Sequence, residues 1–210
     1  MELIVKKTIV KSIFGIIFLS LIFGLFYIGY IVNMKSDISN NVLRLHIVAA
    51  SDSEQDQKLK LLVRDRILND FSDIFSSCDS LSDSKIFASQ NIEKIKTAAK
   101  DELLKNDCLY DIDASIEPCD FPTKAYDDIT LPQGRYTALN IKIGDAHGHN
   151  WWCIMFPPLC ITKNCVSISD TSRAKLKSVL TPDEYNLICS DKTNLNVKFK
   201  IAEILGKYFK

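Results

Sequence analysis

The sequence predicts an α+β fold, a mostly antiparallel sheet with helices packed on one face, preceded by one N-terminal transmembrane or signal helix. Three observations predict it. Ile13–Val32 holds no charged residue and, at ~1.5 Å per residue, is long enough to cross a ~30 Å hydrocarbon core. From Asn33 to Glu117 there is neither Gly nor Pro, whereas Pro118, Pro122, Pro132, Gly134, Gly144, Gly148, Pro157 and Pro158 crowd the residues that follow. Long regular elements therefore come first, and short ones joined by turns come after. Finally, Leu139, Ile141 and Ile143 alternate with Ala138, Asn140 and Lys142, the period of a strand with one buried face.

In chain order, Lys6, Lys7 and Lys11 stand before the apolar run and Lys35 alone stands just beyond it. This bias puts the N-terminus in the cytoplasm and the rest outside. No A-x-A-like cleavage site follows in GYIVNMKSDISN, which favours a retained signal anchor over a cleaved leader. The expected division is 1–32 as anchor or signal peptide and 33–210 as one exported domain.

Leu43–Ala49 alternates as a strand, with Leu43, Leu45 and Ile47 on one face and Arg44, His46 and Val48 on the other. Leu59, Leu62, Val63, Ile67, Phe71 and Ile74 then recur at helical steps. Ser51 with Glu54, or Ser53 with Asp56, supplies a capping box for that helix. SSCDSLSDS, residues 76–84, reads as a helix-to-helix connection, and Ala88, Ile92, Ile95, Ala99 and Leu103 mark a second helix. Asp111–Ile116 reads as a strand.

The central block is GRYTALNIKIGDAHGHNWWCIMFPPLC, residues 134–160. Its two apolar runs, joined through Gly144 and Gly148, are expected to fold back on each other as an antiparallel hairpin at the sheet centre. Trp151–Phe156 is apolar on both faces, so it is either sandwiched or turned toward a partner. Thr181-Pro182-Asp183-Glu184 announces another helix, with Leu180 and Tyr185 as its hydrophobic staple. A short strand at Asn196–Lys198 and a helix over Phe199–Phe209 close the prediction.

Formal net charge is zero with no basic stripe, which excludes the electrostatic footprint of a nucleic-acid binder. Seven cysteines, Cys165 among them, fall at irregular spacings. An exported domain permits disulfides, although a chain this large does not need them.

Two stretches carry candidate chemistry. His147, His149, Cys153 and Cys160 have ligand types suited to zinc, but not the paired spacing of structural sites. Cys153 with His149 as base lacks an orienting third group. The alternatives for the cysteines are plain packing or a Cys153–Cys160 disulfide across the turn at Pro157-Pro158, if that turn brings the Cα atoms within ~4.4–6.8 Å. No cofactor is expected. The second stretch is Arg44, His46, Ser51, Asp52 and Ser53, on a strand and at its exit into a helix N-terminus, where an anion is favoured. Its plain reading is a set of helix caps with Arg44 paired to a carboxylate.

RLHIVAASDSEQDQKLKLLVRDRIL (44–68) and YTALNIKIGDAHGHNWWCIMFPPLC (136–160) resemble the two characteristic blocks of the stage II sporulation protein R family. Asn-Trp-Trp-Cys followed by Phe-Pro-Pro-Leu-Cys is the most specific string. One departure is Ala50, where the family pattern carries Asn. The resemblance implies a signalling protein, not an enzyme, made in the forespore and exported to the space between forespore and mother-cell membranes. There it activates a membrane-embedded aspartic protease that processes pro-sigma factor E. The surface expected to meet that partner comprises Asn150, Trp151 and Trp152, with Arg44, His46 and Asp52 as a second edge, although both tryptophans suit a core equally well. The rival expectation is an exported cell-envelope hydrolase using the His and Cys residues above.

Overall fold

The computed structural model describes residues 2–160 and 168–189. The predicted strand at Asn196–Lys198, the helix over Phe199–Phe209 and Cys165 lie outside the described residues. Helix α1 (Glu2–Ser39) leads into β1 (Leu43–Val48), three helices α2 (Glu54–Ser77), α3 (Leu81–Gln90) and α4 (Ile92–Leu104), and then β2 (Ile112–Phe121). A small hairpin, β3 (Lys124–Tyr126) with β4 (Ile129–Leu131), precedes β5 (Gly134–Ile143) and β6 (Asn150–Phe156). Helices α5 (Asp170–Val179) and α6 (Pro182–Cys189) end the described chain. The α+β class and the apolar N-terminal helix are as the sequence predicts.

Local signals explain most boundaries. Ser53 caps α2 by accepting from the Asp56 amide, but the reciprocal half of the expected capping box goes through Ser51, whose hydroxyl accepts from the Ser53 amide and donates to Asp56. At α6, Thr181 and Glu184 satisfy each other reciprocally. The Thr181 amide donates to Glu184 Oε2 at 2.7 Å, and the Glu184 amide donates to Thr181 Oγ1 at 3.3 Å. The single helix expected around Ala88–Leu103 is two, broken at Asn91, whose side chain donates to the Phe87 carbonyl. Strand β2 runs five residues past the predicted Ile116, through Pro118 to Phe121. Proline is tolerated there because β2 ends the sheet order, where a missing N–H breaks no inner ladder.

The sheet order β2-β5-β1-β6 corrects the expected hairpin. Strands β5 and β6 do not pair; β1 lies between them, parallel to β5 and antiparallel to β6. The centre of the sheet is therefore β1 with β5. With strands ~4.8 Å apart, β5 and β6 sit roughly 10 Å from each other, and the connection 144–149 spans that gap by crossing the end of β1. Two backbone bonds hold it there, from His147 N to Ala50 O and from Gly148 N to Ala49 O. Gly148 has a steric reason at this crossing, since a Cβ on it would stand 2.2 Å from the Ser51 carbonyl oxygen.

Both faces of the sheet are covered, by different means. Leu43, Leu45, Ile47, Leu139, Ile141 and Ile143 pack with the stripe Leu59, Val63, Ile67, Phe71 and Phe75 of α2 and with Ala88, Ile95, Ala99 and Leu103. This is the helix-covered face that the sequence predicts. The opposite face carries a second, smaller core that the sequence does not announce. Met34 and Ile38 of α1 meet Phe121, Tyr126, Ile129, Leu131, Tyr136, Ala138 and Ile154 there, together with Leu176, Leu187 and Ile188. A register shift at Leu43/Arg44 sends Phe156 to the helix side with Met155, against the strict alternation expected of β6.

Candidate functional site

The two sequence blocks converge at the C-terminal end of β1. Residues 49–53 leave the strand there, and residues 144–149 arrive from β5. Besides the backbone bonds above, the His149 amide donates to Asp52 Oδ1 at 2.6 Å and the His149 ring bonds the same oxygen. Gln57 donates to the Ser51 carbonyl at 2.9 Å, and Lys60 donates to the His149 carbonyl at 2.9 Å. Ser51 Oγ donates to Asp56 at 2.5 Å. Every one of these bonds joins the first block to the second or braces the turn that does. The first hydrogen-bond partner of Asp52, His149, holds its carboxyl below the usual aspartate range. Both side chains remain exposed.

Strand alternation sends the neighbouring tryptophans of β6 to opposite faces. Trp151 packs at the edge of the helix-side core with the buried Arg64 guanidinium 4.3 Å from its ring centre. Trp152 stacks parallel to His46 at 6.1 Å between ring centres and carries the Lys124 ammonium 4.4 Å above it. Both rings are half-buried, so each is at once part of the fold and part of the surface.

His46, half-buried, stands in a row that crosses all four strands, Ser115, Asn140, His46 and Trp152. Its Nε2 lies 2.9 Å from Asn150 Oδ1, which accepts when that nitrogen carries the proton. Burial is the main influence on the ring and lowers its pKa from the ordinary value of 6.5. Asn140, buried, donates to Glu117, and Lys142 approaches the same carboxylate at 3.8 Å. This polar strip was missed in the sequence, although Asn140 and Lys142 are the two polar residues between Ala138 and Ile143.

Arg44 is where the structure departs most from expectation. It shares the His46 face, but it is completely buried and does not join Asp52 or the N-terminus of α2. Among the described residues it pairs with no carboxylate either. Its Nε donates to the Cys153 carbonyl at 2.9 Å, and another nitrogen donates to the Tyr126 hydroxyl at 2.8 Å. Phe121 and Tyr136 face it at 4.2 and 4.9 Å from their ring centres. Burial draws its pKa down, against the pull of Tyr126 and Tyr136 in the other direction. Tyr126 in turn donates to the Trp152 carbonyl at 3.1 Å. Arg44 thus braces β6 from beneath and offers no atom to solvent.

The zinc-type set does not assemble. Cys153 points into the helix-side core and is joined to Cys160, with Cα atoms 5.3 Å apart. His147 and His149 are exposed on the loop. Among the described residues no three of His, Cys, Asp and Glu group as metal ligands. A hydrolytic site would need a nucleophile beside the Asp52–His149 pair. The nearest candidate by sequence, Ser51, turns its hydroxyl to Asp56 instead.

A family model described as "Stage II sporulation protein R" matches residues 39–165, from the last turn of α1 to beyond β6. The protein of that name from Bacillus subtilis (strain 168) is 34% identical over 128 residues, covering 61% of this chain and 57% of the relative. The match thus spans little more than half of that relative's length. No solved structure matches.

Proposed function

The chain belongs to the stage II sporulation protein R family, and on that premise we propose that it is an intercellular signal of sporulation. In this reading the domain is made in the forespore and exported toward the mother cell. It binds the outward-facing part of a membrane aspartic protease, whose activation leads to processing of pro-sigma factor E. It binds and does not catalyse. One observation carries the choice of surface: the two blocks that bear the family resemblance are distant in sequence, yet they interlock at one exposed end of the sheet through Asp52 and His149.

A stable core alone does not require the exposed Asp52–His149 pair, since surface ion pairs contribute little to stability. The same end carries the exposed Asn150 and the half-buried rings of Trp151 and Trp152. A rigid aromatic beside exposed hydrogen-bonding groups is the composition of a protein-binding hot spot with its polar rim. Arg44 belongs to this reading as a positioning residue beneath β6.

The test is complementation in a spore-forming host deleted for the protein, using Trp151→Ala and the pair Asp52→Ala/Asn150→Ala. The expected result is a normally exported domain with unprocessed sigma factor accumulating on an immunoblot. Wild-type processing by both variants would remove this surface from consideration. If deletion leaves processing intact but alters septal morphology, the signalling role itself is wrong.

A further inference from the structure

Helix α1 has two kinds of surface along one continuous run of backbone. Over residues 13–30 most of its large apolar side chains are exposed, with Phe14, Phe18, Phe23 and Phe26 between 66% and 75%. Lys11–Ser39 contains a stretch long and apolar enough to cross a membrane. From Ile31 the pattern changes without a break in the helix. Ile31, Met34 and Ile38, spaced three and four residues apart, are buried on one face. Met34 and Ile38 belong to the second core with Tyr136, Ala138 and Leu187. One turn earlier, the Tyr30 hydroxyl donates to Asp183 of α6 at 2.9 Å. The helix ends only at Ser39, four residues before β1.

We propose that α1 is a permanent membrane anchor whose last turns are built into the folded domain, so that the domain acts while tethered to the bilayer that its own chain crosses. A leader peptidase needs an extended substrate at the end of the apolar run. Here that region is helix, with its inward side chains committed to the core. A cut near Val32 would detach Ile31 and leave a stub of about two turns, too short to hold helical form by itself. The second core would then lose the element that covers Tyr136 and Ala138.

The topology adds a direction to this tether. The chain enters the sheet at Leu43, whereas the Asp52–His149 junction lies at the far end of β1. Six residues at ~3.3 Å each place the junction roughly 20 Å further along the strand from the point where α1 hands over the chain. A tethered domain with that layout makes contact over its own length and does not diffuse. The anchor proposal does not rest on the signalling role, and its test uses no sporulation readout.

The experiment places different epitopes at the two ends of the full chain, expressed in a bacterium. Membranes are washed at high pH, and spheroplasts are treated with protease. The expected result is both epitopes on one full-length band in the washed membrane. A shorter band carrying only the C-terminal epitope in the soluble exported fraction overturns the proposal. In the same full-length chain, Met34→Asp/Ile38→Asp should insert normally yet lose the protease-resistant domain, while Ile38→Leu keeps it. Equal resistance of the aspartate variant and the parent also overturns it, because α1 would then be a tether attached to the fold and not part of it.

Discussion

The two faces of the central sheet are covered by different chemistry, although both are built from the same strands. On the helix side, Leu43, Leu45 and Ile47 of β1 meet an unbroken apolar stripe from α2 and α4. On the other side, the alternate residues of the same strand are Arg44, His46 and Val48. There a guanidinium ringed by Phe121, Tyr126 and Tyr136 is set into the smaller second core, and a polar row lies beside it. Apolar burial is non-directional and supplies bulk stability. Hydrogen-bonded polar burial is directional, and its main product is position. The first face should therefore supply the larger share of folding stability, and the polar part of the second should fix where Trp152 and Asn150 stand.

The largest effect expected from this contrast is on the helix side. Leu45→Ala removes a fully buried side chain and should cost about 2–5 kcal/mol in denaturant unfolding. A loss well under 1 kcal/mol would break the comparison at its root. Arg44→Lys keeps the charge but cannot serve the Cys153 carbonyl and the Tyr126 hydroxyl together, so a loss of about 1.5–3 kcal/mol is expected. The telling readout is the emission of Trp152, measured in a Trp151→Phe background, which should shift even in the fully folded variant. An unchanged spectrum would mean that Arg44 does not position β6.

Asn140→Ala removes the bond to Glu117 from the polar row and should cost about 0.5–1.5 kcal/mol, with the helix-side core intact by amide exchange. The smallest effect is a titration. Because burial lowers the His46 pKa below 6.5, the neutral ring is the form that suits the fold. Its contribution is complete above the unfolded-state value and is lost as pH falls through the lower folded value. NMR of the His46 ring should show a midpoint below that of an unfolded control. A midpoint at or above 6.5 would show that the ring is solvated and that the polar row is looser than its geometry.

Much of this was legible along the chain because the signals are local. The Ser53 and Thr181 caps, the α2 stripe and the charge-free run of α1 each involve residues within a few positions of one another, so propensity and periodicity report them directly. Helix α5 escaped notice although Ser169 caps it through the Ser172 amide. Its only fully buried side chain is Leu176, too thin a stripe for periodicity to register. Asn91 likewise splits two helices that share one apolar stripe, and a stripe is blind to such a break. At the candidate surface, Asp52, Asn150 and the two tryptophans could be named from sequence, but the bond from Asp52 to His149 could not.

What the amino-acid order determined by itself was the inventory: one membrane-length helix, helices before most of the strands, the caps, and the two blocks that mark the family. What only the tertiary structure decided was adjacency. The insertion of β1 between β5 and β6, the enclosure of Arg44 among aromatic rings and the incorporation of the end of α1 into the second core all depend on residues far apart in sequence. Period-2 alternation says which side chains share a face, but not which strand lies beside which. That choice follows from the packing of complete faces against each other, a property of no single segment.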